Sequence, residues 1–144
     1  MTHLLSHSDL ATLHKASFTL PRPWSETEFA GLLSMADVFL TCGDGPSFAL
    51  GRVVVGEAEL LTLAVDPRAQ GRGLGRLVLE AYEAGARKRG AEKFFLEVAT
   101  TNTVAIKLYQ SHGYAESGRR RAYYTAPDGS KVDAFVFSKP LKRA

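Results

Sequence analysis

The sequence predicts a mixed α/β fold, a central mixed β-sheet with helices on both faces. Three observations carry this. Between residues 38 and 65, three short apolar runs (38–42, 48–55 and 58–65) are separated by turn chemistry, Gly43-Asp44-Gly45-Pro46 and Gly56, which predicts an antiparallel meander. The last run leads through a glycine-rich loop into an amphipathic stretch, 74–89, and then into another strand-like run, 93–99. Strand, helix and strand in that order make a parallel crossover. Two short helical patterns precede the meander, and a helix and two strands follow the crossover, so helices remain to cover each face.

The elements follow in order. Ser8-Asp9 ahead of Leu10, Leu13, His14 and Ser17 predicts a capped short helix, broken at Pro21 to Pro23. Ser25 is an N-cap signal, and Glu28 three residues on completes a capping box before Phe29, Leu32 and Leu33. Trp24 precedes that cap, where it either staples the helix start or walls a substrate groove. In the long helix Leu74, Leu77, Val78, Ala81 and Gly85 fall on one face. Arg87, Lys88 and Arg89 suit its C-terminal dipole, and Gly90 closes it. Thr101-Asn102 opens a short helix with Ala105, Leu108 and Tyr109 inward and Gly113 at its end. A strand starts at Tyr114, the last covers 132–137, and a polar tail from Lys139 is expected to fray.

At 144 residues the chain suits one domain, 1–144, with a real core. Its 45% hydrophobic and 23% charged residues are those of a globular protein. The net charge of +3 has no basic stripe behind it beyond the glycine loop and Arg119-Arg120-Arg121, so direct nucleic-acid binding is not expected. A short strand-like arginine triplet before Tyr123-Tyr124 reads as a solvated strand with a tyrosine ledge. The single cysteine, Cys42, reads as a buried small side chain; it permits no intrachain disulfide and suits a reducing, cytoplasmic setting. No apolar run reaches the length of a membrane span, and the N-terminus lacks the charged lead and apolar core of a signal peptide. His3, His7, His14 and His112 form no metal-ligand spacing, and no metal is expected.

The stretch from Ala64 to Arg76 points to chemistry. Gly71, Gly73 and Gly75 sit on a strand-to-helix turn, where glycine admits left-handed backbone and close approach of a ligand. The helix start supplies free N–H groups and the positive dipole end, and Arg68, Arg72 and Arg76 add charge. A phosphate-bearing ligand is implied. The spacing excludes a P-loop, because no Lys-Ser or Lys-Thr follows. It also excludes the dinucleotide fingerprint, whose sixth position is Arg76 here. What fits is Gln70-x-x-Gly73-x-Gly75. The plainer reading is a helix start with glycines for close packing.

Glu97 is the second signal. Strand alternation puts Phe94, Leu96 and Val98 on one face and Phe95 with Glu97 on the other. A carboxylate beside aromatic rings in mid-sheet must be satisfied, and burial raises its pKa, which suits a general base for an ammonium. The alternative is a carboxylate that merely bonds backbone amides or an arginine. Asn102 reads as an N-cap. Tyr109, two turns on, is either core or a proton donor to a leaving thiolate.

Taken together, Trp24-Ser25, Ala64-Val-Asp-Pro67, Gln70-x-x-Gly-x-Gly75, Leu96-Glu-Val98, Asn102-x-x-Ala-Ile106, Leu108-Tyr109, Gly113-Tyr114, Arg120-Arg-x-Tyr-Tyr124 and Asp133-Ala134 resemble the bacterial RimI family of GNAT acetyltransferases. The resemblance runs from about Pro23 to Phe137. It implies a GNAT fold, acetyl-CoA as cosubstrate, and acetylation of the N-terminal alanine of the eighteenth small-subunit ribosomal protein. It further implies Glu97 as base, Tyr109 as acid and Asn102 as a coenzyme contact. Backbone at Leu63, Ala64 and Val65 matches the strand along the pantetheine arm. Gln70, Gly71, Arg72, Gly73, Leu74, Gly75 and Arg76 match the pyrophosphate loop, although relatives often carry arginine where Gly71 stands. Trp24, Tyr123 and Tyr124 match the acceptor groove. The implied partner is a protein N-terminus, without nucleic acid or membrane, for a monomer or weak dimer. Competing readings are a GNAT acting on a small amine or a lysine side chain, a noncatalytic acyl-CoA sensor, and a dinucleotide-binding module. The pairing of Glu97 with Tyr109 speaks against the sensor, which needs neither.

Overall fold

A computed structural model describes residues 5–17 and 22–140. The expected break at Pro21, the N-terminal residues 1–4 (with His3) and the tail 141–144 lie outside them. Two helices come first, α1 (His7–Ser17) and α2 (Glu26–Leu33). The meander follows as β1 (Val38–Cys42), β2 (Ser47–Val54) and β3 (Glu57–Val65). A short 3₁₀ turn at Pro67–Ala69 leads to α3 (Leu74–Lys88), β4 (Lys93–Ala99), α4 (Thr103–Ser111), β5 (Ala115–Thr125) and β6 (Lys131–Pro140). The six strands form a single sheet in the order β1-β2-β3-β4-β6-β5. Every neighbouring pair is antiparallel except β3–β4, which is parallel across the α3 crossover, as the sequence predicts.

Both faces are covered. On one, α1 and α2 bury Leu10, Leu13 and Phe29 against Phe48, Leu50 and Ala64. On the other, α3 and α4 bury Val78, Leu79, Tyr82 and Tyr109 against Phe39, Phe94, Leu96 and Phe137. Gly51 is required by this packing, since a Cβ there would stand 2.4 Å from the Tyr82 ring. Among the described residues, no helix is long and apolar enough to cross a membrane, and no cluster of three or more His, Cys, Asp or Glu side chains is placed to hold a metal ion.

Several expectations are corrected. The α1 cap is Ser6, not Ser8: the Asp9 N–H donates to Ser6 Oγ and the Ser6 N–H to Asp9 Oδ2, each at 3.1 Å. Cys42 is half-buried. The buried stripe of α3 runs through Val78, Leu79, Tyr82, Glu83 and Ala86, while Leu77 and Ala81 face outward. The stripe turns because Glu83 is satisfied inside. Its carboxylate accepts from the Tyr114 hydroxyl at 2.8 Å and from Lys139 Nζ at 2.9 Å, and Nζ also donates to the His112 carbonyl at 2.7 Å. Lys139 therefore belongs to β6 and to the core, not to a fraying tail. The capping box of Ser25 and Glu28 is present as expected.

Candidate active site

The two parallel strands pair from Glu57↔Lys93 to Leu60↔Leu96 and then part. Each is drawn away by its other neighbour. Leu61 is an extra residue in β3, because Leu50 opposes Thr62 while Gly51 opposes Leu60, and such a bulge bends and twists its strand. β4 keeps its pairing with β6 along its whole length, from Lys93↔Pro140 to Ala99↔Ala134. A cavity of about 500 Å³ opens where the strands separate.

One end of the cavity is the glycine loop. Gly71 (φ +82°) and Gly73 (φ +75°) hold left-handed backbone that a side chain would strain. Gly73 is the N-cap of α3 and supplies no capping side chain. The first intrahelical bond is Leu77 N–H to Gly73 O at 3.1 Å. The N–H groups of Leu74, Gly75 and Arg76 thus precede the ladder, at the positive end of a 15-residue helix. Gln70, Gly71, Gly73, Leu74, Gly75 and Arg76 line the cavity, and Arg72 does not. Arg68 is also elsewhere: it grips Asp66 at 2.8 and 3.1 Å and holds that carboxyl down near 2. This end offers the N–H groups and positive pole of a helix start, a lining that fits a coenzyme pyrophosphate.

Leu63, Ala64 and Val65 form one wall. The Val65 carbonyl lies 3.1 Å from the Ser17 hydroxyl, whose shorter bond is to the Leu13 carbonyl at 2.8 Å. Asn102 sits on the rim as the N-cap of α4, its Oδ1 accepting from the Ala105 N–H at 3.2 Å, so the capping role and the cavity position coincide. Tyr109 is 7% exposed and reaches the cavity from α4. Burial raises its phenol above the ordinary range.

Glu97 reaches the cavity from β4. Its Oε1 accepts from the Tyr123 hydroxyl at 3.2 Å, and its Oε2 forms an ion pair with Arg120 Nε. The surroundings are an arginine and a tyrosine rather than the aromatic rings alone that alternation suggested. Tyr124 lines the same cavity; burial first, then the Glu97 charge, pushes its phenol up to about 12. Tyr123 lies outside the lining but touches Glu97.

Trp24 is not in this cavity. It packs on Phe29, one residue past the capping box, with ring centroids 5.5 Å apart, which is the staple geometry. It also stacks on His14 at 5.0 Å. The Trp24 N–H donates to His14 Nδ1 at 2.9 Å, so His14 Nε2 carries the proton toward Thr62 Oγ1 at 3.1 Å. Thr62 lines the cavity. Burial drives the His14 pKa down to about 4, leaving the ring neutral.

The family model described as the Acetyltransferase (GNAT) family matches residues 17–114, the span that holds the glycine loop, Glu97 and Tyr109. The chain belongs to the GNAT acetyltransferase family. Its relatives include the [ribosomal protein bS18]-alanine N-acetyltransferase of Escherichia coli K12, 40% identical over 124 residues that cover 83% of this chain and 82% of that one. The N-alpha-acetyltransferase RimI of Mycobacterium tuberculosis is 40% identical over 90 residues, covering 62% of this chain and 53% of the relative. The crystal structure of the ribosomal-protein-S18-alanine N-acetyltransferase from Escherichia coli matches with a TM-score of 0.83 at 32% identity, across 100% of this chain and 94% of that one. Arabidopsis thaliana NAA60 in complex with acetyl-CoA shares the fold, with a TM-score of 0.77 at 17% identity over 94% and 93% of the two chains. This GNAT is a RimI-type, acetyl-CoA-dependent N-acetyltransferase.

Within the GNAT frame, three contributors escape a linear reading. Ser17 and Thr62 border the cavity through contacts 48 positions apart in sequence, Ser17 to Val65 and His14 to Thr62. Arg120 faces Glu97 because β5 carries an extra residue ahead of it: Glu116 opposes Phe137 and Gly118 opposes Val136, two steps against one. The expected solvated strand is present, with Arg119, Arg120 and Arg121 all exposed, but two of the three carry ion pairs. Arg119 pairs with Asp133 at 3.0 Å, and Arg120 with Glu97.

Proposed function

We propose that this GNAT transfers the acetyl group of acetyl-CoA directly to the N-terminal α-amine of a protein, with alanine first and the ribosomal protein bS18 as the natural acceptor. The observation that carries this reading is the single cavity that joins the α3 anion cradle to Tyr109 and Glu97. The names of the relatives support the acceptor. Glu97, directly or through a water, takes a proton from the incoming ammonium; the free amine forms the new C–N bond at the thioester carbon as the C–S bond breaks, and the proton that its nitrogen sheds on becoming an amide passes to solvent, from which the Tyr109 phenol is restored. Tyr109, kept protonated by burial, gives its proton to the departing thiolate. Backbone along Leu63, Ala64 and Val65 and the Asn102 side chain orient the pantetheine arm, and the 70–76 loop, with Arg72 at its outer edge, holds the pyrophosphate. Tyr123 and Tyr124 border the acceptor, and Trp24 supports that side through His14 and Thr62. The protein works as one domain and as a monomer or weak dimer in a reducing cytoplasm.

The test is an acetylation assay on a peptide beginning Ala-Arg, against the same peptide blocked at its N-terminus with a lysine left free. Transfer to the first alone is the expected result. Transfer to both equally assigns the activity to lysine instead.

A further inference from the structure

Glu97 is sunk in the sheet, with its side chain 17% exposed, and its Oε2, sealed from solvent, faces Arg120 Nε as its ion-pair partner. An acceptor oxygen held by a mobile guanidinium can exchange that partner for another cationic N–H donor. Arg120 is poorly anchored to stay. Its side chain is 58% exposed, and its other contact is the Tyr123 ring, 5.5 Å from the guanidinium carbon.

The register shift between Glu116 and Gly118 puts Arg120 on the Glu97 face, and a second irregularity follows it. Four steps on β5 span two on β6, so Ala122 is forced to φ +51°. Asp133 fastens the bulge with both carboxylate oxygens: Oδ1 accepts from the Ala122 N–H at 2.8 Å and Oδ2 from Arg119 Nε at 3.0 Å. Without those two extra residues, Tyr123 would point to the face opposite Arg120. With them, Arg120 and Tyr123 both reach Glu97. The remaining charged pair nearby is Glu59, which acts on Tyr123 and is held by Arg52 at 2.7 Å.

We infer that Arg120 is a specificity-determining residue that occupies the acceptor's ammonium position, its guanidinium neutralising Glu97 until a cationic amine displaces it. The inference rests on the reading of Glu97 as the group that receives the acceptor's proton. A neutral nucleophile brings no charge to replace the guanidinium and leaves Glu97 latched. A protonated α-amine brings both the charge and the N–H donor that can take the guanidinium's place at Oε2. The displaced arginine swings to solvent, where it is already half exposed, so exchange costs little.

The experiment compares Arg120→Met and Arg120→Lys with the unaltered protein. Arg120→Met should lower the KM for the Ala-Arg peptide by roughly two- to fivefold, the worth of a partly exposed ion pair, with the Kd for coenzyme A unchanged. Arg120→Lys, which retains a cation, should stay near the parent value. A binding readout independent of turnover uses the ¹³C resonance of the Glu97 side-chain carboxyl, titrated with guanidinium chloride well below unfolding concentrations. It should move saturably in Arg120→Met and remain still in the parent. A rise in peptide KM on removing the arginine, or equal guanidinium responses in both proteins, overturns the inference. An inactive parent whose Arg120→Met variant still binds guanidinium at Glu97 refutes the acetyl-transfer reading and leaves the latch standing.

Discussion

Replacing Glu97 with Gln and Tyr109 with Phe separates the two halves of the proton traffic. The Gln amide still offers an oxygen to the Tyr123 hydroxyl, now 3.2 Å from Oε1, so the shape of the site persists. What is lost is basicity and the charge facing Arg120, a partly exposed pair worth about 1 kcal/mol or less to stability. At saturating acetyl-CoA the expected loss in kcat at neutral pH is about 10²–10⁴, the usual worth of a positioned base. Its pH dependence is the informative part. An α-amine with a pKa of about 8 is roughly one-tenth free at pH 7 and nine-tenths free at pH 9. Without Glu97 the enzyme depends on that free fraction, so the deficit should shrink close to tenfold over this interval. Tyr109→Phe should behave differently. Burial holds the phenol above its ordinary range, so the parent stays protonated throughout and the deficit of the variant should be flat. Initial rates of thiol release for all three proteins on one peptide give the answer. Near-parental rate in Glu97→Gln at pH 7, or a deficit equal at every pH, would show Glu97 to be a structural partner of Arg120 and remove it from the chemistry.

Three further outcomes are expected. Gly73→Glu places a charged side chain at a φ of +75° beside the anion cradle, and should abolish coenzyme A binding, which is otherwise in the micromolar range; calorimetry with undiminished binding would sink the cradle assignment. Tyr124→Ala should raise the peptide KM more than it lowers kcat, as loss of uniform binding does, whereas a large kcat loss at constant KM would put Tyr124 in the proton traffic. Acid should weaken the fold through His14, which is buried, with a folded pKa near 4 against 6.5 for the free ring. The unfolded chain takes up a proton below about pH 6.5 that the folded one refuses until about pH 4, so stability falls across that window, by roughly 2 kcal/mol between pH 7 and pH 5. Urea midpoints at the two pH values measure it, and an unchanged slope in His14→Gln would refute the assignment.

The sheet was legible because its strands carry local signals. Turn residues and period-two alternation placed β1 to β4 to within a residue or so, and the glycine loop between β3 and α3 marked both the crossover and the anion cradle. The inward face of α3 was not legible. Its decisive residue is Glu83, a charged side chain that any hydropathy pattern assigns to solvent. It is satisfied inside by the Tyr114 hydroxyl and by Lys139, which arrives from a strand 56 positions later, and Lys139 itself sits in a stretch that reads as a polar tail. Each member looks exposed without the other, and a pairwise cause of that kind leaves no trace in either local segment.

The acceptor side fails to be read for a related reason. Alternation along 119–124 assigns side chains to faces by counting, and counting assumes one residue per step. Asp133 breaks the assumption by capping the Ala122 N–H and accepting from Arg119, which stabilises two surplus residues. The cost of an alanine at φ +51°, about 1 kcal/mol, is offset by charge-assisted hydrogen bonds to that carboxylate. The same device brings the Tyr123 phenol to Glu97. Arg120 is set on that face earlier, by the extra residue between Glu116 and Gly118, so two irregularities together deliver a phenol and a guanidinium. The arginine that pairs with the carboxylate is also the most exposed member of the group, which leaves Glu97 accessible.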